Sequence, residues 1–64
     1  MSKRSDFDDV FNSMVNGQRK QAVEQVQAIG LDLMPELLDY LTDDLNRPEM
    51  ALDLAKSYFR ITSR

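Results

Sequence analysis

Apolar residues recur every three or four positions in four stretches of this chain, which is the spacing of amphipathic helices. In the first stretch they are Phe7, Val10, Phe11, Met14 and Val15. The alternation of apolar and polar residues that is typical of strands is absent. The sequence therefore predicts an all-α fold, a compact bundle of four short helices arranged as two stacked antiparallel helical hairpins. The expected helices span about 5–16, 18–29, 34–45 and 47–62.

Polar residues and glycines mark the predicted helix ends. Ser5 with Asp8, and Asn46 with Glu49, have the three-residue offset of a capping box, so Ser5 and Asn46 are expected to cap the first and fourth helices. Each of the two glycines follows a predicted helix, where a positive φ ends the helix at little cost.

The chain is short and has few means of stabilisation apart from its core. Its 64 residues include neither cysteine nor histidine, so disulfides and a structural zinc site are not expected. We expect a disordered basic tail, residues 1–4, followed by a single helical domain, residues 5–64. Because a core of this size supplies only about 3–5 kcal/mol, oligomerisation is the remaining device that small folds commonly use.

The predicted last helix carries more apolar surface than one packed face requires. Its core stripe is expected to comprise Ala51, Leu54, Ala55, Tyr58 and Ile61. Leu52 and Phe59 extend the apolar arc on one side and Met50 extends it on the other. The arc then covers about 200°, whereas a helix that buries a single face needs little more than about 100°.

This surplus favours a protein-interaction module over other kinds of protein. The expected partner-binding residues are Tyr40, Met50, Leu52, Phe59 and Arg60, which are residue types that interfaces favour. The protein is expected to be a small non-enzymatic regulator, inhibitor or adaptor, in the style of phage or mobile-element accessory proteins. The sequence leaves open whether the surface forms a homodimer or docks on a different protein.

Nucleic-acid binding is the alternative hypothesis. The second and third helices could form a helix-turn-helix, but the exposed face of the third helix is acidic and would repel phosphate. A weaker version uses the basic residues Arg19, Lys20, Lys56, Arg60 and Arg64.

No pattern in the sequence indicates catalysis, a cofactor or a metal. Without histidine or cysteine the usual nucleophilic arrangements are missing, and Glu36, Asp39 and Asp43 are expected on a solvated helix face. No apolar run is long enough for a membrane span, and the first residues lack the apolar core of a signal peptide. We expect a cytoplasmic protein that begins at its natural Met1.

Overall fold

The computed structural model describes the backbone of residues 3–63 and the side chains of residues 5–63. Within this range the helices are α1 Lys3–Val15, α2 Arg19–Ile29, α3 Met34–Asp39 and α4 Pro48–Thr62. A 3₁₀ turn, Leu31–Leu33, leads into α3, and a π-helical turn, Tyr40–Asp44, continues it. The described residues contain no strand, so the predicted all-α bundle of four helices is confirmed.

The first helix begins earlier than predicted. It starts at Lys3, which leaves Ser5 inside the helix, so the expectation that Ser5 caps α1 is wrong. Lys3 and Arg4 of the predicted disordered tail, residues 1–4, belong to α1, whereas Met1, Ser2 and Arg64 lie outside the described residues.

A glycine turn folds α2 back along α1. Gly17 has a φ of +76°, its N–H donates to the Met14 carbonyl at 3.1 Å, and the Gln18 N–H donates to the Ser13 carbonyl at 2.8 Å. These two bonds define a Schellman motif, which satisfies the last carbonyls of α1. The two helices run antiparallel, since Asp6 and Asp9 near the start of α1 line one groove with Ala28 and Ile29 at the end of α2. The Ser13 hydroxyl also donates to the Gln25 side chain at 2.8 Å.

The link between the π turn and α4 corrects the second predicted cap. Asn46 has a φ of +55°, and the N–H groups on either side of it donate back into the preceding helix, from Leu45 to the Tyr40 carbonyl and from Arg47 to the Leu41 carbonyl. Asn46 therefore ends the third helix. It does not cap α4, which is preceded by Arg47 without any side-chain cap. The reason is that asparagine tolerates the left-handed conformation better than other non-glycine residues.

The core draws on all four helices and forms one cluster. Its buried apolar members are Phe7, Val10, Met14, Ala22, Val26, Met34, Leu37, Leu41, Ala51 and Leu54. Two serines, Ser13 and Ser57, are also buried, and both make side-chain hydrogen bonds.

Two residues predicted for the core lie at the surface. Val15 is 58% exposed because, at about 100° per residue, it lies about 140° around α1 from the fully buried Val10. Ile61 is 43% exposed although it shares the core-facing side of α4 with Leu54. Its position in the last turn of the helix leaves it with fewer neighbours to cover it.

Candidate interaction surface on the last helix

Two large apolar side chains of α4 point into solvent on the same side of the helix. Leu52 is 57% exposed and Phe59 is 67% exposed. They are two turns apart, and the half-buried Ala55 lies between them at the i+3 position from Leu52. We call Leu52, Ala55 and Phe59 the α4 strip.

The opposite side of α4 fills the core. Leu54 and Ser57 are fully buried there, and the helix packs against α2 and the π turn. Tyr58 is half-buried against the core, and its ring meets the Phe59 ring edge to face with centroids 6.1 Å apart. Edge-to-face contacts of this kind favour one ring orientation. Phe59 is therefore held beside a packed residue while most of its own surface stays in water.

Opposite charges lie along one flank of the α4 strip. Glu49 and Lys56 are both exposed, one helical turn before and one turn after Leu52. At about 100° per residue, both project within about 60° of Leu52 around the helix axis. The acid thus lies towards the N-terminal end of the strip and the base towards its centre.

Farther around the helix, a side-chain network ties α4 to α2. Arg19 donates to both oxygens of the Asp53 carboxylate, with its closest nitrogen 2.8 Å away, and the Ser57 hydroxyl donates to Asp53 at 3.3 Å. The hydrogen bonds from Arg19 hold the pKa of Asp53 below its ordinary value, with smaller contributions from Ser57 and the positive charge of Arg60. This network stabilises the packing of α4 against the bundle.

The structure separates the five residues predicted to bind a partner. It brings Leu52 and Phe59 together, whereas Met50 is half-buried and packs against the core. Tyr40 also packs against the core, with its ring centroid 5.7 Å from that of Phe7. Arg60 is exposed but projects toward the Asp53 side of α4.

The sequence predicts Tyr40 on a rim with a water-exposed hydroxyl, and that hydroxyl does lie in an exposed hydrogen bond. Its hydroxyl donates to Asp8 on α1, so the side chain joins the π turn to the first helix. Tyr40 therefore helps to hold the bundle together, and it lies outside the α4 strip.

The basic residues of the alternative hypothesis are spread over two helices. Arg19 is engaged by Asp53, while Lys20 on α2 and Lys56 and Arg60 on α4 are exposed. Arg64 lies outside the described residues. The Arg19–Asp53 pair reduces the positive charge that this set could offer to phosphate.

The sequence assigned Ala55 to the core stripe, and the half-buried Ala55 does pack against the core, with its remaining exposed surface between Leu52 and Phe59. A small residue between large apolar residues three positions before and four positions after it is a visible signal, because the three share one helix face. The partial exposure of Ala55 could not be predicted, since it depends on where α2 and the π turn pack.

Other features of the described residues give weaker indications of a functional site. A groove of about 220 Å³ between α1 and α2 is lined by Asp6, Asp9, Gln25, Ala28 and Ile29. Among residues 3–63 no group of three or more His, Cys, Asp or Glu side chains is placed to hold a metal ion. No helix in the described part of the chain has the length and apolar character needed to cross a membrane.

Comparisons with protein-family models, with curated proteins and with solved structures found no match to this chain.

Proposed function

We propose that this protein is a small non-enzymatic interaction module, a regulator, inhibitor or adaptor, that binds a protein partner through the α4 strip. The observation that carries the proposal is the exposure of Phe59, two-thirds of whose surface is in water beside a core that is already filled. A cytoplasmic location is part of the proposal, and the acidic, cysteine-free sequence is compatible with it.

The strip has the composition of a binding anchor. Fully burying a leucine or phenylalanine contributes about 1.5–3 kcal/mol, and both anchors lie on one rigid helix. Few interface residues usually carry most of the affinity, and they cluster around buried apolar anchors. Leu52 and Phe59 are therefore the residues expected to dominate binding, with Ala55 giving the partner close access to the helix backbone.

Nucleic-acid binding receives less support. Phosphate recognition depends on unpaired positive charge, and the Arg19 guanidinium is already bound by the Asp53 carboxylate. A fluorescently labelled oligonucleotide titrated at low salt tests this alternative. Salt-dependent binding that is lost in a Lys56→Glu/Arg60→Glu variant would favour it over the α4 strip.

The interaction proposal is tested by comparing two variants with the wild-type chain. Phe59→Asp places a charge within the proposed contact, whereas Gln27→Asp places the same charge on an exposed position of α2. Both variants are first checked by circular dichroism, since Phe59 is expected to contribute little to folding. Proteins captured from the native cell are then purified and titrated against all three chains.

A partner supports the proposal when the purified pair binds, Phe59→Asp weakens binding at least tenfold and Gln27→Asp does not. Equal binding by all three chains would overturn the role of the α4 strip. A large loss of helicity in Phe59→Asp would also overturn it, because the ring would then belong to the core.

A further inference from the structure

We propose that the partner covering the α4 strip is a second copy of this chain, with the two α4 helices packed antiparallel about a two-fold axis. This inference rests on the proposed function and specifies its partner. An isologous contact of this kind needs a surface that complements itself when it is reversed.

The charges beside the strip meet that requirement. Reversing one helix against the other brings Glu49 of each copy beside Lys56 of the second copy, which creates two symmetric ion pairs. In a parallel two-fold arrangement this flank of each helix would lie on opposite sides of the contact, so neither Glu49 nor Lys56 would meet its counterpart on the second copy. The charge pattern therefore selects the antiparallel orientation.

The side chains of the strip fit the same alignment. In the register that pairs Glu49 with Lys56 of the second copy, Leu52 packs over Ala55 of the second copy. Phe59 then reaches the Pro48 end of the second α4, which is also exposed. The large side chain meets the small one, so the helices can approach closely while both anchors are covered.

The size of the face predicts a weak dimer. At about 1.5 Å per residue, α4 is about 22 Å long, and the strip occupies about half of that length. Two such faces bury less than the roughly 1,200 Å² of a standard stable interface. The association is therefore expected to be reversible, with a Kd between about 1 µM and 1 mM.

Charge reversals test the register directly. Glu49→Lys and Lys56→Glu are made singly and together, and Glu24→Lys on α2 is the control for a change in net charge. The Kd of dimerisation is measured for each chain by sedimentation equilibrium at low salt, with circular dichroism as the check on folding. Each single reversal turns two attractive pairs into two repulsive ones and is expected to raise the Kd at least about fivefold. The double variant restores the attraction and is expected to return the Kd to within about twofold of the wild-type value.

Three results would overturn the proposed antiparallel dimer. They are a wild-type chain that stays monomeric up to about 1 mM, single reversals that act no differently from Glu24→Lys, and a double variant that stays as weak as the single ones. Each leaves the proposed function intact if a different protein still binds the chain in a Phe59-dependent manner. Loss of both dimerisation and every Phe59-dependent partner would reject the proposed function as well.

Discussion

Arg19 and Asp53 lie 34 positions apart in the sequence and form a two-pronged ion pair that joins α2 to α4. The carboxylate accepts hydrogen bonds from the guanidinium and from the Ser57 hydroxyl on its own helix. Ser57 is fully buried and Arg19 is exposed. Asp53 contacts both, so it lies at the boundary between the core-facing and the solvent-facing sides of α4.

Replacing Asp53 by asparagine is expected to lower stability at neutral pH by a small amount and to have less effect in acid. The pKa of Asp53 is lowered in the folded state, so the ion pair stabilises the fold fully above the ordinary aspartate pKa of about 3.9. That contribution disappears as the pH falls through the lowered pKa. Thermal unfolding of both chains from pH 7 down to acid should show the difference in Tm shrinking.

Asp39→Asn, at an exposed position, is the matched control. Its Tm at neutral pH is expected to differ less from the wild-type Tm than that of Asp53→Asn does. High salt should also reduce the effect of Asp53→Asn, since exposed ion pairs are screened. A difference in Tm that grows on acidification would contradict the ion pair.

Two neighbouring leucines of α4 are expected to respond differently to truncation. Leu54 is fully buried, so Leu54→Ala should cost about 2–5 kcal/mol, most of the stability of so small a core. Leu52 is mostly exposed, so Leu52→Ala should change the free energy of unfolding by less than about 0.5 kcal/mol. Urea unfolding monitored by circular dichroism, at a concentration where the chain is monomeric, measures both. Similar losses would mean that Leu52 belongs to the core.

The hydrogen bond between Tyr40 and Asp8 is tested by removing the Tyr40 hydroxyl. Tyr40→Phe keeps the ring against Phe7 and should cost about 0.5–1.5 kcal/mol, the usual net value of a hydrogen bond. Asp8→Ala should cost a similar amount, and the double variant should lose little more than either single one. Additive losses in this cycle, measured by thermal unfolding, would show that the two side chains do not interact.

Two substitutions of Asn46 test whether it ends the third helix or caps α4. Asn46→Gly should keep or slightly raise stability, because glycine adopts the observed φ of +55° without strain. Asn46→Thr should lose about 1–2 kcal/mol, although threonine is a good N-cap, because its branched side chain resists the left-handed conformation. The opposite order of the two variants in thermal unfolding would restore the capping-box interpretation.

Much of the fold followed from the spacing of apolar residues. The four helices lie within a few residues of their predicted bounds, since residues such as Val10 and Leu37 repeat on one face and turn residues separate the stretches. The glycine turn at Gly17 was equally visible. These features depend on local conformation, which the sequence encodes directly.

The remaining features depend on which surfaces meet. The apolar pattern could not show that Met50 would pack inward while Leu52 stayed outside, because both lie on the same wide arc. The sequence analysis also did not predict that Ser57 would be buried. Its hydroxyl donates to Asp53 one turn earlier in α4, and this bond offsets the cost of burying it. The sequence therefore predicted the kind of site, an apolar face of the last helix. Of the apolar residues expected there, only Leu52 and Phe59 lie on that face.

Thiol labelling tests the exposure of the α4 strip most directly, because the chain has no cysteine of its own. Leu52→Cys, the buried Ser57→Cys and the exposed Gln27→Cys are reacted with a maleimide in dilute, folded protein. We predict that Leu52→Cys reacts nearly as fast as Gln27→Cys and far faster than Ser57→Cys. Protection of Leu52→Cys to the level of Ser57→Cys in the dilute monomer would contradict an exposed binding face on α4.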